Sequence, residues 1–210
     1  MNQKEGKLMK RKAVIQAAIV SVCAVVIGVT IGLVRMRCTF GTTSTSGVFL
    51  GSLMVQLMRY QKAVIGWAVF VLACMFFTGR LSFGQMTLFS LMTIIGYSLL
   101  GSIASGGQLP GIPEVPFAIA DAGHNAYPIF YICAAFAGFK DKKPLIGGLS
   151  LLWMAAYAVI LPIFAARHYD GLMSSASFEP LYNTILVCAP VFMIIFILYD
   201  RFGSKDRNSV

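Results

Sequence analysis

One apolar segment contains three polar side chains of different chemistry within a stretch of five residues. Asp121 carries a carboxylate, His124 an imidazole and Asn125 an amide. A polar group buried in lipid without a partner costs several kcal/mol, so these side chains must face protein or water. Ionisable residues at membrane depth are typical of solute and proton sites. We therefore predict that these three residues bind a substrate.

In a second interpretation, the side chains of this cluster bind no substrate and only stabilise a loop or the start of a helix. If the segment begins at the membrane surface, its polar residues belong to a loop or to the start of a helix. Asp121 would then cap a helix that starts near His124, because carboxylates accept hydrogen bonds from the first amides of a helix. The sequence alone leaves both interpretations open.

A second polar stretch follows the first apolar run of the chain. Hydroxyl side chains fill the interval between Gly41 and Gly47, and they could line a pore or bind an anion with the amides of a helix start. A polar turn is the alternative. We add Thr42, Thr43 and Ser44 to the predicted substrate-binding residues. The five cysteines form no CxxC pair, and we predict no catalytic residue, no metal site and no cofactor.

The elements that must position these residues are membrane helices. Hydrophobic residues make up 58% of the 210-residue chain and charged residues 12%, against about 25% charged in a soluble domain. Runs of about 20 apolar residues cross a bilayer as helices. The sequence predicts an all-α polytopic bundle at 13–199, between charged tails at 1–12 and 200–210. The uncharged runs are 13–34, 38–58, 63–79, 81–113, 144–166 and 180–199.

The basic residues indicate orientation. The net charge is +9, but Lys and Arg lie at the ends of apolar runs, which favours contact with the bilayer and excludes a nucleic-acid partner. With the apolar segment 117–139, which polar residues interrupt, the chain has seven hydrophobic segments. If all seven crossed the membrane, the 17 basic residues would divide 8 to 9 between the two sides. If 117–139 does not cross, the division is 13 to 4, and if 38–58 does not cross, it is 12 to 5.

The positive-inside rule therefore predicts six crossings plus one broken or re-entrant helix. Both termini are expected to be cytoplasmic, in the cell membrane. Lys62 and Lys143 are predicted to lie on the same, cytoplasmic side. Similar motifs recur at an offset of 81 or 82 residues, with Lys62 to Gly66 matching Lys143 to Gly147, and they suggest an internal repeat.

Short motifs in the first half resemble those of the YczE/YitT-like bacterial integral membrane proteins. The motifs are Gly41 to Ser46 after the first span, Ile65-Gly66-Trp67 at the start of the next, and Arg80 to Thr87 after it. The resemblance covers about residues 25–100. It implies a small multi-span bacterial membrane protein, with transport of an undefined substrate as the expected activity.

Three functional classes fit these observations. The first is a permease or transporter component for a small solute. The second is a membrane-embedded binding or assembly subunit with partner subunits, which would take ATP energy from another chain because no GxxxxGK[ST] loop is present. The third is a lipid-phosphate enzyme, since His124 and His168 faintly resemble type-2 phosphatidic acid phosphatases. Ala122 and Pro162 stand where that family has serine and arginine.

Overall fold

The computed structural model describes the backbone of residues 3–40, 47–104 and 114–202. These residues form helices and turns and no strand, which confirms the predicted all-α fold. The helices are α1 (Gln3–Phe40), α2 (Gly47–Phe77), α3 (Phe83–Ala104), α4 (Val115–Ala122), α5 (Tyr127–Lys140), α6 (Pro144–Ala155), α7 (Leu161–Tyr169) and α8 (Ser175–Phe202), and a π-helical segment (Ala156–Ile160) joins α6 to α7.

Five helical stretches are long and apolar enough to cross a membrane. The shorter α4 and α5 cover residues 115–140 as two helices separated by turns at 123–126, and α5 is a further apolar helix below the length of a full span. Large apolar side chains such as Ile19, Leu152 and Phe136 face outwards, as expected for a surface that contacts lipid. The five stretches are Met9–Arg35, Arg59–Phe77, Phe83–Ile103, Pro144–Tyr169 and Ser175–Arg201.

The bundle has two chemically different ends. At one, which we call the basic end, Lys10 and Arg80 line a common cleft. The carboxylate of Asp200 there accepts hydrogen bonds from Lys143 Nζ and from the amide of Gly84. The start of α1 and the end of α8 therefore lie at the same end of the molecule.

The opposite end, which we call the far end, is marked by Arg35, Gln61 and Asp121. The Gln61 side chain lies against Gly32 of α1 and is hydrogen-bonded to Tyr97 of α3. The charges of Arg35 and Asp121 both act on the Tyr97 hydroxyl, so these groups lie near one another. The far end thus joins α1, α2, α3 and α4.

The second predicted segment differs from the structure. Residues 47–77 form one helix, so Arg59 and Lys62, which separate the uncharged runs 38–58 and 63–79, do not end a helix. No glycine or proline occurs between residues 52 and 65, so nothing in that stretch interrupts the hydrogen-bond ladder. Lys62 follows Gln61 at the far end, whereas Lys143 lies at the basic end. The prediction that these two lysines share one side is therefore wrong.

The structure treats the two doubtful segments differently. Residues 47–58 continue directly into the candidate span of α2, while 117–139 is divided between α4 and α5 by the turns at 123–126. If the α4–α5 pair crosses the membrane, the division of basic residues expected from the sequence is 12 to 5. The suggested repeat is not reproduced where the structure describes it, because Lys62 to Gly66 lies inside α2 and Lys143 to Gly147 starts α6. The polar half of the first motif, 41–46, lies outside the described residues.

Close packing in the first half of the chain depends on small residues of α1. Ala17, Ser21 and Ala24 are buried on the face that continues to Gly28 and Gly32. A Cβ atom at Gly28 would lie 3.0 Å from the Tyr97 ring. Small side chains at this spacing let helix backbones approach closely, which is the usual basis of helix association in membranes.

Candidate functional site

The polar cluster predicted from the sequence lies at the break between α4 and α5. Pro128 has no amide hydrogen, so it cannot continue the helical bonding back to the carbonyl of His124. Residues 123–126 form turns at this point. The Tyr127 hydroxyl donates to the Ile119 carbonyl at 3.0 Å, and its ring fills the space that a Cβ at Gly123 would need. The break is therefore a packed feature with a fixed geometry.

The capping interpretation of Asp121 is wrong. The residue lies in the last turn of α4, not before the start of α5. The N-cap of α5 is Ala126, and no side chain caps it. Asp121 therefore belongs to the end of α4 and does not cap α5.

His124 is hydrogen-bonded across the bundle to a tyrosine. Its Nε2 lies 3.0 Å from the Tyr157 hydroxyl, and the two rings meet edge to face with centroids 5.4 Å apart. Tyr157 lies in the π-helical segment. Pro162 follows that segment, and its missing amide hydrogen accounts for the change in helical bonding. The π-helical segment thus meets the break between α4 and α5 at this hydrogen bond.

A stack of aromatic rings holds Tyr157 in place. The Trp153 ring lies between Tyr131 and Tyr157, with centroids 4.5 and 4.8 Å away and planes within 24° and 16°. Trp153 Nε1 donates to the Ile185 carbonyl at 2.9 Å, and the Tyr131 hydroxyl donates to the Ala189 carbonyl. These bonds tie α5 and α6 to the turns of α8 that precede Pro190, so the hydroxyl facing His124 has little freedom.

The other predicted residues of the break face different surroundings. Asp121 is exposed, and its charge acts on the hydroxyls of Tyr97, Tyr127 and Tyr182. Asn125 has an exposed side chain, while a Cβ at Gly66 would lie only 3.3 Å from its backbone carbonyl.

The structure therefore brings Asp121, His124 and Asn125 to one break. Thr42, Thr43 and Ser44, the other predicted binding residues, lie outside the described residues.

An open groove of about 460 Å³ begins at Tyr157 and runs between α7 and α8 towards the far end. We call it the aromatic groove. Sequence reasoning assigns such aromatic residues to packing and misses the groove. The signal that could have revealed it is Pro162, which follows Tyr157 within one turn and a half of an apolar helix. Its lining residues are Tyr157, Leu161, Pro162, Ala165, Tyr169, Phe178 and Tyr182.

The two histidines occupy separate environments. His168 Nδ1 is hydrogen-bonded to the Met173 carbonyl at 2.9 Å, and its ring stacks on Phe178. His168 lies 11 residues beyond Tyr157, about 16 Å along the helix axis, while His124 is bound to Tyr157 itself. This arrangement does not bring two imidazoles to one phosphate. Among the residues that the structure describes, no three His, Cys, Asp or Glu side chains could hold a metal ion.

The fold and the site together define a membrane-type helical bundle with a polar helix break beside an aromatic groove. Comparisons with protein-family models, with curated proteins and with solved structures find no match to this chain. The functional argument therefore comes from the geometry of the break and the groove.

Proposed function

We propose that the protein is a permease, or the membrane subunit of a transporter, for a small solute. The observation that carries this proposal is the hydrogen bond between His124 in the helix break and Tyr157 at the head of the aromatic groove. Interrupted helices that meet inside a bundle are a common way to build a solute site in transporters. The polar break and the groove would form two parts of one solute path.

The surroundings of the groove favour a positively charged organic solute. Asp121, Asp170 and Glu179 are exposed on the segments that surround it. The Arg167 guanidinium, a basic group on the same segments, lies over the Phe164 ring at 5.9 Å. Aromatic faces attract cations, most strongly when nearby carboxylates add their charge. An organic ammonium compound therefore matches this site better than an anion of the same size.

Transport into proteoliposomes tests the proposal. The purified protein is supplied with a panel of radiolabelled organic cations, anions, zwitterions and neutral solutes, beside protein-free vesicles. We expect protein-dependent uptake of at least one cation. His124→Ala and Asp121→Asn should each reduce that uptake at least about tenfold, since each removes an interaction of about 1.4 kcal/mol or more.

Two further variants test whether uptake depends on the Tyr157 hydroxyl in particular or falls whenever a tyrosine hydroxyl is removed. Tyr157→Phe removes the hydroxyl that faces His124 and should reduce uptake. Tyr60→Phe removes the hydroxyl of an exposed tyrosine on α2 and should not. Saturable binding without uptake would favour the capture subunit of a larger transporter. Full activity in all three site variants would contradict the proposed path.

We propose further that the basic end faces the cytoplasm. Of the 15 Lys and Arg residues that the structure describes, 10 belong to this end, and cytoplasmic segments are enriched in these residues. Single cysteines at Lys140 and Tyr60, in a protein without its native cysteines, test the orientation in intact cells. An impermeant maleimide should label Tyr60→Cys and spare Lys140→Cys. The reverse pattern would contradict the orientation.

A further inference from the structure

A second cavity lies at the basic end, away from the helix break. It has a volume of about 500 Å³ and lies between the start of the α1 span and the turn that joins α2 to α3. Three of its lining residues are cationic, and none of those the structure assigns to its lining is acidic. The lining residues are Met9, Lys10, Lys12, Ala13, Gln16, Thr78, Gly79 and Arg80. We call it the basic cleft.

Two separate elements contribute the charges of the basic cleft. Lys10 and Lys12 come from α1, and Arg80 comes from the turn after α2. Like charges repel one another, so three cations around one cavity favour an anion between them. The Gly79 backbone has φ of +72°, so the chain turns there and places Arg80 three residues beyond the end of α2. The cleft is thus formed by tertiary packing and not by a basic run of sequence.

The position of the cleft indicates what kind of anion it takes. The candidate membrane span of α1 begins at Met9, with its uncharged run from Ala13, and that of α2 ends at Phe77, so the cleft lies where both helices leave the hydrocarbon. Next to it, Ile15, Ile19 and Phe77 expose apolar side chains on the outer surface. A ligand with a negatively charged head and apolar tails would place its head in the cationic cleft and its tails against the neighbouring apolar surface. Anionic lipids present both parts at this depth.

We infer that the basic cleft binds the phosphate headgroup of an anionic phospholipid, with the acyl chains against α1 and the end of α2. The Arg80 guanidinium is suited to a phosphate because its donors form a planar fork, while the two lysines add point charges. Bound lipid would join the α1 face to the α2–α3 turn. This inference is independent of the proposed solute path.

Native mass spectrometry of the detergent-purified chain tests the inference. The probes are phosphatidylglycerol and phosphatidylethanolamine with identical acyl chains. We expect one phosphatidylglycerol to be retained per chain, in preference to phosphatidylethanolamine. Neutralising the cleft with Lys10→Gln, Lys12→Gln and Arg80→Gln together should weaken this binding by up to about 100-fold, about fivefold per cation. Arg80→Lys alone keeps the charge and should retain most of the binding.

A matched control separates the cleft from the general field of the basic end. Lys140→Gln, Lys142→Asn and Arg201→Gln remove the same charge from exposed positions outside the cleft. Asparagine suits position 142, where φ is 54°. This control should retain the bound phosphatidylglycerol. Equal loss in both triple variants, with unchanged thermal unfolding in lipid-free detergent, would overturn the inference.

Inorganic phosphate distinguishes a lipid headgroup from a free anion. Added at the same concentration as phosphatidylglycerol, it should raise the melting temperature of the wild-type chain far less, because it lacks tails that bury apolar surface. Equal stabilisation by inorganic phosphate would overturn the lipid assignment. Equal retention of phosphatidylethanolamine would overturn the preference for an anion.

Discussion

The two halves of the chain build helices in different ways. In the first half, α1, α2 and α3 run without interruption, and small residues of α1 bring them together. In the second half, one pass is broken at residues 123–126 and another contains a π-helical segment. All eight prolines of the chain lie between residues 110 and 190. The polar cluster and the start of the aromatic groove both occur where the helices are irregular.

The largest expected effect distinguishes the aromatic packing of the second half from the apolar surface of the first. Trp153 is 2% exposed and hydrogen-bonded, whereas Trp67 on α2 is 66% exposed. Trp153→Ala should lower the free energy of unfolding by about 3–5 kcal/mol, since it leaves a cavity between two rings. Trp67→Ala should change it by less than about 1 kcal/mol. Denaturant titration in detergent micelles measures both, and similar losses would contradict the contrast.

The next prediction concerns the close contact of α1 with α3. Gly28→Leu should force the helices apart at the Tyr97 ring and destabilise the bundle by about 1–3 kcal/mol. A Cβ atom at Gly101 on α3 would meet no other atom within 4 Å, so Gly101→Leu should be nearly neutral. Thermal unfolding of the two variants side by side makes the comparison. A neutral Gly28→Leu would show that small residues are not what joins the first half.

Replacing a proline should make the second half more like the first. Pro162→Ala restores an amide donor after the π-helical segment, and we expect a gain of about 1–2 kcal/mol in unfolding free energy. Regular α-helix would rotate Tyr157 away from His124, so solute uptake should fall while stability rises. Pro144→Ala, at the first residue of α6, serves as the control, because no helical bond is missing there. If Pro162→Ala were stabilised and kept full uptake, the π-helical segment would not be needed for transport.

The smallest effect concerns Asp200 at the basic end, which joins the two halves through the Gly84 amide and forms an ion pair with Lys143. Asp200→Asn keeps an acceptor for the Gly84 amide and removes the charge that faces Lys143. Both partners are partly exposed, so the loss should be about 1 kcal/mol or less and should shrink with added salt. Glu179→Gln removes an exposed charge at the far end and should have no such salt dependence. Melting curves at low and high salt measure the difference.

The apolar runs are sufficient to predict an all-helical membrane protein, because a run of about 20 apolar residues is the length that crosses a bilayer as a helix. The polar residues around His124 are also sufficient to predict a break near Gly123 and Pro128. Two features escape prediction from the sequence. The first is the length of α2: Arg59 and Lys62 suggest a boundary between two helices, but the helix continues through both residues because charges alone do not end a helix. The role of Tyr157 is hidden, because its partner His124 lies 33 positions away and only tertiary structure brings them together.

The bond between Asp200 and Gly84 has a consequence for the order in which the chain is assembled. Ser82 and Gln85 already satisfy each other's amides at the start of α3, but the Gly84 amide is bonded by a residue 116 positions later. At 5–20 residues per second, a ribosome needs on the order of ten seconds to make that interval. During synthesis, the Gly84 amide at the start of α3 therefore has no bond to Asp200 until α8 has been made. Insertion of α8 then supplies the carboxylate that binds the Gly84 amide and joins α8 to the start of α3.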